Sequence, residues 1–154
     1  FTNGSHKVEN LPDSRLKLPF GVRLNYFAGD RVIIRTYYRY YQDNWDLKAH
    51  TFEIETPIKI TPFFSISPFY RFYKQTGVKY FAPYQAHALT EKYYTSDYDL
   101  SSLSSNMFGA GIRYAQPGGL MGISRFNAIE LRYGHYERST ALTSNIITLL
   151  AKLK

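Results

Sequence analysis

The chain contains no cysteine, which excludes disulfides and thiolate metal centres. No apolar run approaches the roughly 18–20 residues that a membrane helix requires, so helical insertion into a bilayer is excluded too. No segment carries a helix-period pattern of useful length. The four histidines, His6, His50, His87 and His135, form no H-E-x-x-H or other metal spacing. Gly109-Ala110-Gly111 lacks the third glycine and the following helix that a nucleotide-binding loop needs. Acids are in deficit, 12 Asp and Glu against 19 Lys and Arg, for a formal net charge of +7. Disorder is excluded because 44% of residues are hydrophobic. The 154 residues leave room for one domain. The first residue is Phe1 and no signal peptide is visible, as expected of a processed protein or a piece of a longer one.

What the chain has in excess is aromatic. Fifteen Tyr, 11 Phe and one Trp make 18% of it. A soluble core does not need so many tyrosines. The settings that use them are a carbohydrate or nucleic-acid surface, a paratope-like face, or the interfacial belts of an outer-membrane β-barrel.

The dominant period is two. From Arg15, one face collects Leu16, Leu18, Phe20, Val22, Leu24 and Tyr26, and the other Arg15, Lys17, Arg23 and Asn25. After a turn at 28–30, a strand over about 31–43 sets Val32, Ile34, Thr36, Tyr38 and Tyr40 against Arg31, Arg35, Tyr37 and Arg39. A polar break at 43–46 precedes a strand over about 47–60, with Phe52, Ile54, Ile58 and Ile60 against Glu53, Glu55 and Lys59. Another follows Thr61-Pro62 over about 63–75, with Phe64, Ile66, Tyr70 and Phe72 against Ser65, Ser67 and Arg71; Pro68 predicts a bulge or a broken ladder there. Residues 76–104 lose the pattern and read as one long loop. Strands resume over about 105–115 (Ile112 and Tyr114 against Arg113), 126–138 (Ile129, Leu131, Tyr133 and His135 against Glu130, Arg132 and Arg138) and 144–154 (Ile147, Leu149, Ala151 and Leu153 against Thr148 and Lys152). Gln116-Pro117-Gly118-Gly119 is a strong turn signal between the first two.

Strands this long exceed the usual five or six residues and match tilted membrane strands. Aromatics on the apolar face sit toward strand ends: Tyr38, Tyr40, Tyr70, Phe72 and Tyr133 at one rim, and Tyr26, Phe64 and Tyr114 at the other. Plain aliphatics lie between them. Two aromatic girdles around an apolar band are expected of an antiparallel transmembrane β-barrel, with lipid against Leu18, Val22, Ile34, Ile54, Ile112 and Leu149. The competing fold is a soluble sandwich or small barrel. The opposite face gathers Arg15, Lys17, Arg23, Arg31, Arg35, Arg39, Lys59, Arg71, Arg113, Arg132 and Arg138 with Glu53, Glu55 and Glu130. A lumen so lined favours anions. The commoner use of such charges is cross-strand bracing, which predicts Arg35 beside Glu53 or Glu55 and Arg113 near Glu130.

About seven strands are present. With the last ending in the periplasm, the 76–104 loop is extracellular and residues 1–12 form a leading segment on the same side. Seven strands do not close a barrel. The expectation is therefore the C-terminal part of a larger one, the alternative being an eighth strand drawn from residues 2–10.

Ser67-Pro68-Phe69-Tyr70-Arg71, Tyr80-Phe81-Ala82-Pro83-Tyr84, Tyr94-Thr95-Ser96-Asp97-Tyr98-Asp99-Leu100-Ser101, Pro117-Gly118-Gly119 and Glu130-Leu131-Arg132-Tyr133-Gly134-His135-Tyr136 resemble the C-terminal part of an uncharacterised domain-of-unknown-function family of Gram-negative outer-membrane β-barrel proteins. The resemblance is densest over 67–139. It implies fold and an outer-membrane location, adds no catalytic residue, and, because members are longer, supports the partial-barrel expectation.

No enzyme motif emerges. Ser96, Asp97 and His87 could be assembled into a catalytic trio on paper, but loops rich in Ser and Asp produce such trios by chance. Asp97 and Asp99 fall short of the 6–8 oxygens of a calcium site and suit a side-chain-capped turn better. The loop aromatics, Tyr84, Tyr94 and Tyr98 among them, are expected to pack as a lid rather than to stack on bases. The expected partners are outer-membrane lipid and other outer-membrane or surface proteins, with no nucleic acid and no cofactor. The expected role is a structural or accessory barrel with a plugged, basic lumen. The alternatives are an anion-preferring channel and a soluble aromatic-rich binding barrel.

Overall fold

A computed structural model describes residues 1–116, 118–119 and 125–153. It contains one antiparallel sheet: β1 (Lys17–Ala28), β2 (Val32–Asp43), β3 (Lys48–Glu55), the two-residue β4 (Ile58–Lys59), β5 (Phe64–Gln75), β6 (Leu103–Tyr114), β7 (Phe126–Arg138) and β8 (Leu142–Leu153). The spatial order follows the chain, β1-β2-β3-β5-β6-β7-β8, with β4 bridging β2 and β5. The fold is therefore all-β, a simple meander. Among the described residues there is no α-helix, only a 3₁₀ turn at Tyr98–Leu100. Of the expected 116–119 turn, the Gly119 N–H reaches the Gln116 carbonyl at 3.2 Å. Pro117 itself, and Lys154 of the expected last strand, lie outside the described residues.

Most strand bounds lie within two residues of those expected, and three details differ. Arg15 precedes β1 and Arg31 sits in the turn before β2, so neither is a strand residue. Leu103 and Ser104 belong to β6 rather than to the loop. The expected third strand is two strands, because Thr56-Pro57 interrupts it. Pro57 faces the Ser67-Pro68 stretch of β5, and two imino residues that cannot donate interrupt the ladder there, leaving the Thr56 N–H to reach the Pro68 carbonyl at 2.9 Å. The register survives the gap: Glu55 pairs with Phe69 before it and Ile58 with Ile66 after it. Pro68 thus marks a broken ladder without a bulge. Among the described residues the register shift lies elsewhere, between Phe126 and Ala128 of β7.

Among the described residues the sheet has no second layer. The packed core of the described residues is small and sits at one end, where Trp45, Leu47, Ala49 and Val78 are all less than 10% exposed. Leu11, Tyr80, Phe81 and Leu100 from the 1–16 segment and the long loop pack on it. This loop end also carries the 43–47 hairpin, while the tight turn at Gly29 (φ +73°) lies at the opposite, turn end. Residues 2–10 add no strand. Asn10 pairs with Tyr94 in an isolated bridge and the Thr2 N–H reaches the His87 carbonyl, so the leading segment is stitched into the loop.

The charged face is concave. Arg132 of β7 meets Glu55 of β3 at 3.0 Å although β5 and β6 lie between them. In a flat sheet those strands would stand roughly 14 Å apart. Aromatics lie flat on this face over glycines. A Cβ at Gly109 would overlap the Tyr133 carbonyl oxygen and come within 2.9 Å of the Phe69 ring. One at Gly134 would come within 2.6 Å of the Met107 methyl. Backbone cannot yield where a flexible methionine tip can. Gly109→Ala is therefore expected to cost about 1–3 kcal/mol, the usual overpacking penalty, and Gly134→Ala less. Urea unfolding of the two variants in micelles checks the order; equal midpoints would refute it.

Candidate functional site

The two faces of the sheet are the functional surfaces. The register places the odd residues of β1, β2, β3, β5 and β6 and the even residues of β7 and β8 on the concave face. That face receives Lys17, Arg23, Arg35, Arg39, Glu53, Glu55, Arg71, Arg113, Glu130, Arg132 and, through β4, Lys59.

At its centre the charges form a network. Arg71 holds Glu53 at 2.9 Å, while Glu55 is shared by Arg35 at 3.8 Å and Arg132 at 3.0 Å, and Arg132 also reaches Glu130 at 3.2 Å. Arg35 and Glu55 are direct cross-strand partners. Arg113 is directly opposite Glu130, yet Glu130 turns to Arg132 instead. Arg132 also stacks on Phe69, 4.8 Å from the ring centre, and Arg23 on Tyr37 at 5.2 Å. Tyr37 in turn lies over Gly21. Each stack is an aromatic laid on a small residue and covered by a guanidinium. Arg15, beyond the strand, pairs with Asp43 at 2.6 Å and covers Trp45 at 4.4 Å.

The convex face is apolar and open. Phe20, Val22, Leu24 and Tyr26 of β1 are 61–69% exposed, and Ile147 and Leu149 of β8 are 72% and 65% exposed. The intervening strands add exposed Tyr38, Phe52, Tyr70, Phe108, Ile112, Tyr114, Leu131 and Tyr133, with Ile34, Ile54, Tyr40, Phe64 and Phe72 half-buried among them. The tyrosine hydroxyls are ordered. Tyr38 bonds to His50 at 2.7 Å, and Tyr70 donates to Asn106 and Tyr133 to Asn145 at 2.7 and 2.9 Å. Each partner lies one cross-strand pair nearer the loop end. Tyr114, at the turn end, donates to Gln116 at 2.9 Å in the opposite sense. Phenols at both rims therefore aim their polar tips away from the apolar band.

The loop end is a lid packed on itself. Tyr80 packs edge-on against Trp45 and Tyr93, and Phe81 against Tyr98, while Tyr84 stays exposed. Tyr94 packs beside the His87 ring. Asp97 caps the 3₁₀ turn by accepting the Asp99 N–H at 2.9 Å, and Asp99 pairs with Arg138. The pair of carboxylates is thus consumed by the turn and by β7. The paper trio of Ser96, Asp97 and His87 is not assembled. Ser96 donates to the Ala82 carbonyl, and His87 is buried between Glu91 at 2.6 Å and the Thr95 carbonyl at 2.9 Å.

Sequence reasoning missed three features. Leu142, Ile146 and Leu150 of β8 share the concave face with Thr148 and Lys152, so β8 is apolar on both sides. The reach of Arg132 to Glu55 depends on curvature, which no pairwise pattern encodes. The cavity beside Arg39 is built by segments far apart in the chain.

A single sheet with one charged and one exposed apolar face, capped at one end, defines an all-β protein of one antiparallel meander. The chain belongs to the family described as Protein of unknown function (DUF3570), which matches residues 1–144, a wider span than the 67–139 of the motif resemblance. No curated protein and no solved structure matches it.

Two outcomes follow from these contacts. Glu55 is a partly exposed hub, and exposed pairs contribute about 0.2–1 kcal/mol each. Glu55→Gln should cost about 1 kcal/mol at low salt and less in 0.5 M salt, where screening acts over roughly 4–5 Å. Unfolding at the two salt concentrations measures this, and a salt-independent cost refutes it. Hydrogen bonds from the His87 ring and then the Ala88 N–H hold the Glu91 carboxyl below its ordinary range. A lowered carboxyl pKa stabilises the fold above the unfolded value and loses that contribution as pH falls through the folded one. Amide exchange across 84–97 should therefore quicken below about pH 4, and Glu91→Gln should abolish the pH step. A step that persists in the variant would exclude Glu91 as its source.

Proposed function

We propose that this chain forms wall strands of a Gram-negative outer-membrane β-barrel whose lumen is braced by ion pairs and covered by its long loop. Its role is that of a structural or accessory barrel. The observation that carries the reading is the convex face. Seven long strands expose large apolar side chains with no protein layer against them. Soluble monomers rarely expose apolar patches beyond a few hundred Å², whereas hydrocarbon satisfies such a face. Tyrosines with outward-aimed hydroxyls at both rims suit the two lipid–water interfaces.

Closure follows from strand direction. Among the described residues no pairing joins β1 to β8, and both run from the loop end to the turn end. An unpaired edge in hydrocarbon costs several kcal/mol per backbone group. Antiparallel closure between two strands of the same direction takes an odd number of further strands, which gives the even total usual for such barrels. The central Arg–Glu network and the packed lid favour a plugged lumen over an open anion channel.

The test is reconstitution. The protein should need detergent or lipid to stay dispersed and should give a heat-modifiable folded band in vesicles. Ile54→Arg should lower the folded yield, at a cost of roughly 2–4 kcal/mol for a cation near the midplane. Planar bilayers should show no steady conductance. A monodisperse β-sheet protein in plain buffer would overturn the membrane reading. Steady anion-selective conductance would overturn the plug and leave the channel.

A further inference from the structure

Beneath the lid, at the loop end of the concave face, lies a cavity of about 280 Å³ lined by Arg39, Tyr73, Leu47, Ala49, Leu100 and Asp99 among others. Its charges do not balance. Arg15, also on its wall, is neutralised by Asp43, and Asp99 is neutralised by Arg138. Arg39 has no carboxylate partner among the described residues. Among the described residues its side-chain hydrogen bonding is limited to a long 3.5 Å bond from Nη2 to Thr51 Oγ1. Its Nε is a buried side-chain nitrogen with no hydrogen-bond partner. The neighbouring donors are already used: Tyr41 donates to Asp43, Tyr73 to Gln75, and the Gln75 amide to the Asp99 and Ser101 carbonyls. A half-buried guanidinium lacking both a counterion and its full set of acceptors is a costly arrangement unless something supplies them.

We infer that this cavity binds a small organic monocarboxylate, with the carboxylate on Arg39 and the alkyl part against Leu47, Ala49 and Leu100. Arg39 presents a planar fork of donors matched to a carboxylate. A monoanion fits the single uncompensated charge, whereas a dianion would set its second charge beside Asp99. The three aliphatic side chains give a short hydrocarbon tail an apolar seat, and the volume admits a ligand of a few heavy atoms. The site goes beyond the barrel reading and does not require it, because every residue named lies on the concave face or in the lid.

The chain's only tryptophan, Trp45, sits two residues from Leu47 in the lid core and reports on the site. The experiment titrates the full protein in detergent micelles with acetate, butyrate and benzoate at constant ionic strength. Chloride and inorganic phosphate serve as comparators, and Trp45 fluorescence and calorimetry as readouts. Saturable binding is expected, tighter for butyrate than for acetate and absent for phosphate. Arg39→Gln should weaken it at least tenfold, whereas Arg113→Gln, at the far end of the face, should leave it unchanged. Far-ultraviolet circular dichroism confirms that Arg39→Gln is folded. If that variant does not fold, Leu100→Trp, which fills the apolar seat and keeps the charge, should abolish butyrate binding instead. No saturable response to any carboxylate, equal binding of phosphate, or an affinity indifferent to these substitutions would each overturn the site. The solubility test decides the membrane reading separately, so failure of one is not failure of the other.

Discussion

Everything in this protein depends on cross-strand register in a sheet against which the described residues place no second layer. Side chains alternate between faces with a period of two, so a slip of one residue in β1 or β2 would send its arginines to the apolar face and its apolar side chains to the charged one. Twelve consecutive pairs between β1 and β2, and twelve between β5 and β6, hold that register without a bulge. The core that usually enforces it is missing: the packed cluster around Trp45 covers only the loop end. Register is therefore specified by the opposite polarity of the two faces and by the ion pairs that only the observed pairing brings together.

The concave face shows how curvature and composition are coupled. Phe69 and Tyr37 lie down because Gly109, Gly134 and Gly21 leave room for them, and each then offers a ring to a guanidinium. Arg132 lies on the Phe69 ring and reaches Glu55, two strands beyond its neighbour, across the same concave face. Gly109 on β6 and Gly134 on β7 thus seat the ring on which Arg132 lies as it reaches Glu55. The upper part of the same face is built differently. There the lid contributes Asp99 to Arg138 and the hairpin contributes Asp43 to Arg15, while among the described residues no carboxylate pairs with Arg39.

The strands were legible because alternation over twelve residues has few readings, and the hairpin at 43–46 set the pairing that brings Arg35 to Glu55. The loop was legible as a loop and as a lid, since Tyr, Ser and Asp without alternation have no strand to join. Three things were not legible, for different reasons. The two faces of β8 could not be told apart from the pattern Ile146-Ile147-Thr148-Leu149-Leu150, where apolar residues fall on both parities. The partner of Glu130 depended on whether a side chain reached across the strand or along it, and Arg132, two residues away on the same face, won over Arg113 directly opposite. The Arg39 cavity, like the Trp45 core, joins the hairpin to a loop some fifty residues later, and such meetings leave no local periodicity.

Sequence distance also ranks the parts. In a meander every long strand pairs with the next, so most of the sheet closes through short connections, and loop closure there costs little. The lid is different. Its bonds to the leading segment span more than eighty residues, from Glu9 to Thr95 and from Asn10 to Lys92 and Tyr94. Those contacts are few, and several are exposed, so they do not hold the two segments in place by themselves. They form where the sheet has already brought the ends of β2, β3, β5 and β6 together under Trp45. The lid residues therefore depend for their packing on the sheet ends that present Trp45, Leu47 and Ala49. Local opening is accordingly expected to begin at the loop end, where the leading segment meets residues 80–95, and to leave the ladders intact. That order puts the first contacts expected to open at the same end of the sheet as the Arg39 cavity.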